Sequence, residues 1–322
     1  MERVTRVHDA VYRITTPYVG GGVVFLYLIR GERTALVDTG VKGSPQGTIA
    51  PALAEIGLGM EDVDLILTTH GHHDHAGGNL EAKQLTGAPI HLHQGDLPMA
   101  RSLDAELEYH LPSMRTLEFA DDVVAARTRV VAETAGAEKA EVDVVWSGGE
   151  VVDLGRGVSL RVVHTPGHTA GSVCLYWEAE GLLLTADAVQ GMGPRAGSFP
   201  YYTDAVAYRR SLRSLAELDI RLLCSGHAAL GGGVINEPSR RGDEARLFLE
   251  DSIKVADTIH GAVASAMERL PDARPREVVL AALAELIYSI PQVHLRGAGM
   301  PALAGRTLLA HMEAARLGSY PA

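Results

Sequence analysis

Cysteine is scarce in this chain: Cys174 and Cys224 are the only two in 322 residues, each inside an apolar run. Two thiols so placed exclude a disulfide framework and read as core residues rather than nucleophiles, which fits a reducing compartment. Long hydrophobic runs are missing too. The wholly apolar stretch at 23–29 is far too short to cross a bilayer. Met1-Glu2-Arg3-Val4 lacks the apolar segment of a secretory signal. A soluble, cytoplasmic protein is therefore expected. Positive charge is in deficit as well, with 29 Lys and Arg against 40 Asp and Glu and a formal net charge of −11. An acidic surface repels phosphate backbones and anionic lipid, so nucleic acid and membrane are disfavoured as partners.

What remains is an ordinary globular composition, 46% hydrophobic and 21% charged. The length suits one large α/β domain with an appended element, or two modest domains. Strand character at 11–15, 23–29 and 34–37 is followed by helical spacing of Ile49, Leu53 and Ile56. A short apolar strand at 65–67, a helix over 77–85 and a strand at 90–93 continue the alternation, which argues for an α/β layer architecture. Residues 95–140 mix Glu, Arg, Ala and Leu, with Pro98 and Pro112 as punctuation. They read as a helical insertion over one face, a candidate lid. Strands return at 142–146, 151–152, 158–163, 173–177 and 182–184, then a helix at 204–218 and a strand at 221–224.

From Pro238 onward the pattern turns helical, with segments at 243–267, 275–289 and 301–317. The domain organisation expected is a catalytic domain over 1–237 and a helical subdomain over 238–322. In the middle segment Val278, Val279, Ala282, Leu283, Leu286 and Ile287 form one apolar stripe, a face that can serve a homodimer.

The chemistry concentrates in Thr69-His70-Gly71-His72-His73-Asp74-His75-Ala76-Gly77-Gly78, directly after a buried strand. His70 and His72 lie two apart, so on an extended backbone both imidazoles can point to one side. Asp74 and His75, at the turn into a helix, can face a second metal about 3.5–4 Å away. Imidazole and carboxylate are the ligands that zinc and related divalent ions prefer. Further donors stand at later strand ends: His168 in His164-Thr165-Pro166-Gly167-His168, Asp187 after Leu183-Leu184-Thr185-Ala186, and His227 after Cys224-Ser225-Gly226. Singly each reads as a turn residue; together they complete two coordination shells.

The ordered series Asp38, His70-x-His72-x-Asp74-His75, His168, Asp187 and His227 resembles the motif set of the metallo-β-lactamase superfamily, over about residues 10–235. The resemblance implies an αββα sandwich with a metal site at one edge of two packed sheets. It implies His70, His72 and His168 on a first divalent ion, Asp74, His75 and His227 on a second, and Asp187 bridging. Asp38 then matches an acid that orients a ligand from behind. The implied reaction is attack on a carbonyl or phosphoryl centre by a hydroxide shared between two metals, Zn2+ or else Fe or Mn. Asp74 would pass a proton to the leaving group.

Retention of an acid at 187 sets the chain apart from β-lactamases of this resemblance. It points instead to glyoxalase II-like thioesterases, lactonases and nucleases. The expected activity is hydrolysis of a small-molecule ester, thioester or lactone. The alternatives are a metal-dependent endoribonuclease and an inactive metal-binding regulatory protein. Tyr201 and Tyr202, in the segment after the bridging acid, are candidate substrate contacts. His73 is expected to face solvent, and His91, His93, His110 and His164 to serve structure.

Overall fold

Hydrophobic alternation at the start of the chain builds an antiparallel meander of β1 (Val4–His8), β2 (Val11–Tyr18), β3 (Gly22–Arg30) and β4 (Thr34–Val37). The computed structural model describes residues 2–18, 21–191, 199–229, 237–289 and 302–321, with backbone alone at 287–289 and 302–303. After α1 (Ala50–Glu55) the sheet continues in parallel through β5 (Leu65–Leu67). Then come α2 (His73–Ala76), α3 (Asn79–Thr86) and the parallel strand β6 (Ile90–His93). The insertion supplies α4 (Leu97–Arg101), α5 (Leu103–Thr116) and α6 (Asp121–Ala135) before β7 (Val144–Trp146) closes a seven-stranded sheet in sequence order.

The second sheet is made of β8 (Val151–Gly155), β9 (Val158–His164), β10 (Val173–Trp177) and β11 (Leu182–Ala186). Helix α7 (Ala205–Ala216), β12 (Leu222–Ser225) and β13 (Ser239–Arg241) follow, and the strand order is β13-β12-β11-β10-β9-β8. The tail holds α8 (Asp243–Arg269), α9 (Pro275–Ser289) and α10 (Ala302–Leu317). Pro301, the expected start of the last helix, lies outside the described residues.

Period-two side-chain placement sorts these strands into layers. Phe25, Tyr27 and Ile29 of β3 face Leu160 and Val162 of β9, Leu175 of β10 and Leu184 of β11 across the inter-sheet core. The opposite face of the first sheet, with Leu26, Leu28, Leu36 and Ile66, packs on Ile49 and Leu53. The opposite face of the second, with Cys174, Tyr176, Leu183 and Leu223, packs on Leu212 of α7 and on Phe248 and Leu249 of α8. The order of layers is αββα, as the resemblance implies. Both cysteines are buried and unbridged.

Three local expectations are revised. Residues 239–241 do not join the helical tail but pair with β12, because Arg240 buries its guanidinium 3.8 Å over the Phe248 ring and donates to Ala229 O. Pro112 lies inside α5 rather than ending it; the buried Leu111, Met114 and Leu117 hold the helix in place although proline removes one backbone bond. Gly77 and Gly78 separate two helices instead of starting one. A Cβ on Gly77 would lie 2.4 Å from Thr134 O, and one on Gly78 2.4 Å from Thr39 O.

The apolar stripe of α9 is covered within the chain as far as Leu286, the side chain of Ile287 lying outside the described residues. Val278, Val279, Ala282, Leu283 and Leu286 pack with Ile259 and Val263 of α8, Leu308 and Met312 of α10, and Leu117 of the insertion. Among the described residues no helix is long and apolar enough to cross a membrane. Since Phe248 carries the docking of α8 onto the second sheet, Phe248→Ala should cost about 3–5 kcal/mol of stability. Denaturant titration of both proteins checks this, and a change below about 1 kcal/mol would mean that α8 is held by other contacts.

Candidate metal centre

Five loops at the C-terminal ends of strands converge on one edge of the sandwich. Asp38 follows β4, His70 to His75 follow β5, His168 follows β9, Asp187 follows β11 and His227 follows β12. Strand ends are rigid anchors, so the side chains they carry are placed by two sheets rather than by one loop. Two of the anchors are strained: Asp38 and Ala186, neither a glycine, have φ of 61° and 41°. Such backbone costs on the order of 1–3 kcal/mol per residue and concentrates at functional sites.

The seven expected donors are brought together. His70 Nε2 lies 3.1 Å from His168 Nε2, and His75 Nε2 lies 3.4 Å from His227 Nε2. Asp187 stands between them, with Oδ1 3.4 Å from His75 Nε2 and Oδ2 3.5 and 3.6 Å from His168 and His227 Nε2. Asp74 Oδ2 is 3.2 Å from His227 Nε2. The ring of His72 lies 4.5 Å from that of His168 and 4.9 Å from that of His70. Three donor groups emerge whose ligand atoms lie within 4.8 Å of one another: His70, His72 and His168; His70, His75 and Asp187; Asp74, His75 and His227.

The tautomers follow from the partners on the far side of each ring. His168 Nδ1 donates to Tyr201 O at 2.6 Å and His227 Nδ1 to Val23 O at 2.9 Å. His75 Nδ1 donates to Asp38 Oδ2 at 2.8 Å. Thr69 spends its hydroxyl proton on Asp38, so its oxygen accepts from His70 Nδ1 at 3.1 Å. With Nδ1 protonated, a neutral ring turns an Nε2 lone pair inward, and burial keeps His70 and His168 neutral. Their lone pairs, 3.1 Å apart, repel unless a cation lies between them. His72 Nε2 and Asp187 Oδ1 are buried with no hydrogen-bond partner. Gly226 leaves this space clear, since a Cβ there would come within 2.8 Å of Asp187 Oδ1 and of the His75 ring. The donor set fits divalent cations.

Charge follows the same division. Burial pushes His70 and His72 well below the usual imidazole range, and the neighbouring histidines add to it. Burial also lowers His168, against the pull of Asp187. Burial opposes charge on His75 and His227 as well, yet Asp187 with Asp38 holds His75 well above its ordinary value, and Asp187 with Asp74 brings His227 to about 9. Burial opposes ionisation of Asp74 too, but His227 and His75 keep it well below the carboxylate range. Asp187 is depressed in the same way, by His227 and His75.

Other residues frame the centre. The insertion lays Tyr109 and His110 beside His72, with ring separations of 5.0 and 5.1 Å. Tyr109 donates to His168 O, and Tyr201 Oη is 3.0 Å from His110 Nδ1. Tyr201 therefore borders the site, its ring 5.8 Å from His72. Tyr202 turns the other way: its hydroxyl meets His311 Nε2 at 2.7 Å and its ring stacks on Tyr208. His73 does not face solvent, because α6 covers it and Thr134 Oγ1 bonds its Nδ1 at 2.9 Å. His93 and His164 stack on each other at 4.0 Å, and His91 lies against Trp146.

Two positioning residues escaped the sequence reading. Asp96, fully buried, accepts from Gly71 N at 2.8 Å and Thr169 Oγ1 at 2.7 Å through Oδ2, and from Gly171 N at 2.8 Å through Oδ1. It ties the His70–His72 loop to the His168 loop. Its signal was available, a carboxylate just past the end of β6, in the pattern of Asp38 past β4. Gln190 had none. It donates to Asp187 O and Tyr201 O at 3.0 and 3.2 Å and accepts from Tyr201 N at 2.7 Å.

A family model described as the metallo-beta-lactamase superfamily matches residues 19–227. A beta-lactamase-like protein 2 homolog of Drosophila melanogaster is 26% identical over 253 residues, 73% of this chain and 68% of that protein. An acyl-coenzyme A thioesterase of Homo sapiens is 26% identical over 182 residues, 53% of this chain and 60% of that protein. Among solved structures, a metallo-beta-lactamase family protein from Thermus thermophilus matches with a TM-score of 0.72 and 25% identity, covering 97% of this chain and 95% of that one.

Residues that orient metal ligands from behind typically carry about 10–100-fold of metal affinity. Asp38→Asn and Asp96→Ala should each weaken metal binding by that order while leaving the far-UV circular dichroism unchanged. Competition against a chromophoric chelator measures it, and unchanged affinity in a folded variant would rule out the orienting role.

Proposed function

From its membership of the metallo-β-lactamase superfamily, to which this chain belongs, we propose that the protein is a dinuclear metal-dependent hydrolase of a carboxylic ester, thioester or lactone. The observation that carries this reading is the convergence of four Nε2 atoms on the Asp187 carboxylate, with His72 Nε2 and Asp187 Oδ1 left unsatisfied. In this reading His70, His72 and His168 would hold one ion, Asp74, His75 and His227 the other, with Asp187 shared between them. Thioester hydrolysis by the human relative supports acyl over phosphodiester chemistry, as does the net charge of −11. The unbridged thiols support a reducing, cytoplasmic setting.

Divalent ions of the zinc class, when bound, supply a nucleophile from water at neutral pH and polarise the substrate carbonyl. The chain's own residues do the rest. Asp38, Thr69, Tyr201 O and Val23 O fix the rings, so no reorganisation is needed as charge develops. Asp74, part-exposed beside His227, takes the proton of the attacking water on its carboxylate and returns it to the leaving thiolate or alkoxide as the acyl bond breaks. Tyr109, His110 and Tyr201 wall the side next to His72 and keep bulk water off the acyl group.

Removal of metal by a chelator should abolish turnover of a thioester and lactone panel, and added Zn2+ should restore it. Asp187→Asn should cost at least about a thousandfold in kcat/KM, equivalent to several kcal/mol of transition-state stabilisation. Thiol or proton release follows both. A zinc-loaded wild type that turns over none of the panel would sink the acyl-hydrolase reading.

A further inference from the structure

The carbonyl that orients His168 belongs to a peptide held from two directions. His168 Nδ1 donates to Tyr201 O at 2.6 Å. That oxygen shares one planar peptide unit with Tyr202 N, so fixing either end sets the direction of the other. Tyr202 N donates to the hydroxyl oxygen of Thr307 at 3.2 Å, and the same hydroxyl donates to Pro200 O at 2.7 Å. Pro200 O lies on the preceding peptide unit, whose N–H, at Tyr201, donates to Gln190 Oε1 at 2.7 Å. One hydroxyl group of the tail therefore grips both peptide planes that flank the Tyr201 Cα.

Thr307 is itself held. It is fully buried on α10, and so is His311, four residues on and hence on the same helical face. His311 Nε2 stands 2.7 Å from the Tyr202 hydroxyl, a third link from α10 to this segment. Its Nδ1 stands 3.4 Å from His260 Nδ1 of α8. Leu308 packs with Ile259 and Val263 of α8, and Ala310 packs with Leu212 of α7 and Phe248 of α8. The helix is thus seated on the layer that covers the second sheet, the sheet that carries His168 past β9. Without the Thr307 hydroxyl, a buried N–H and a buried C=O lose their partner, and the peptide can turn to seek others. Such a turn takes Tyr201 O away from His168 Nδ1 and releases the ring.

We propose that Thr307, in the tail beyond the 19–227 stretch that the superfamily model matches, is a positioning residue of the metal centre: it fixes the peptide whose carbonyl orients His168. This role rests on the metal-centre reading and holds whichever bond is cleaved. It makes α10 a working part of the centre, although none of the seven donors comes from the tail.

Zn2+ titration of the full chain against a chromophoric chelator tests it, with the visible absorption of the Co2+-loaded protein as a second readout. In Thr307→Val, which keeps the shape and removes the hydroxyl, Zn2+ affinity should fall by about tenfold, the low end for residues behind a metal ligand. The Co2+ absorption should shift with it. Thr307→Ser keeps the hydroxyl and should stay within about twofold of the wild type. Leu308→Ala removes tail packing but leaves the hydroxyl, so it should lower the denaturation midpoint and move neither metal readout.

Affinity and absorption unmoved in Thr307→Val would overturn the role. So would a serine variant as weak as the valine one, or an equal loss in Leu308→Ala, since either result traces the effect to tail stability and not to the hydroxyl. If Thr307→Val does not fold, Thr307→Ala is read by the same criteria. A wild type that binds no Zn2+ removes the metal-centre reading and this role together, whereas Zn2+ binding unmoved in the variant removes the role alone.

Discussion

The carboxylate of Asp38 is the contact on which the geometry of the centre depends. It accepts from Thr69 N at 2.8 Å, from the Thr69 hydroxyl, and from His75 Nδ1 at 2.8 Å. Through His75 it reaches one group of donors, and through Thr69, whose oxygen accepts from His70 Nδ1, it reaches another. One buried acid at the end of β4 thus sets the tautomer of two rings on the neighbouring loop. The chain accepts a left-handed backbone at a non-glycine residue to put it there, with φ of 61°. That strain is sustained because the anchoring strand is pinned on both sides, antiparallel to β3 and parallel to β5.

The second sheet answers with the same devices. Ala186, again left-handed, swings Asp187 toward the four imidazoles, and Gly226 keeps the adjoining space open. Asp96 joins the loops of the two sheets by accepting from Gly71 on one side and Thr169 and Gly171 on the other. The inter-sheet core of Phe25, Tyr27, Leu160, Val162 and Leu175 therefore has a role beyond stability. A shift of one sheet against the other would separate His70 from His168, whose Nε2 atoms are 3.1 Å apart. Close packing makes such a shift costly.

Much of this was legible in the sequence, and the reason is local. A strand end, a His-x-His step and a helix start lie within ten residues, so side-chain direction follows from period and turn alone. The later donors were legible because Asp187 and His227 close apolar strands and His168 stands in the loop after one. Contacts that depend on distant packing were not. His73 looks like a free surface residue until α6, some 60 positions on, covers it. The stripe on α9 looks like a dimer face until Ile259 and Leu308 fill it. Arg240, in the stretch read as the start of the helical tail, lies flat on Phe248 within an edge strand. Tyr201 and Tyr202, adjacent in sequence, part company: the first meets His110 beside the centre and the second meets His311 of the tail.

The donors and the wall around them are consequently carried by different parts of the chain. All seven donors come from strand ends of the sandwich, where two sheets hold them rigidly. The surrounding wall comes from elsewhere: Tyr109, His110 and Arg127 from the insertion, and Tyr201 from the segment between insertion and tail. Leu117 and Phe199 pack into the same cluster as the tail helices, so insertion and tail move or stay together. Substitutions there can reshape what approaches the centre without touching Asp38, Thr69 or Asp96. A sandwich edge with fixed donors and an exchangeable helical wall can be retuned for new substrates by changing helices alone, which is how one architecture supports many hydrolytic functions.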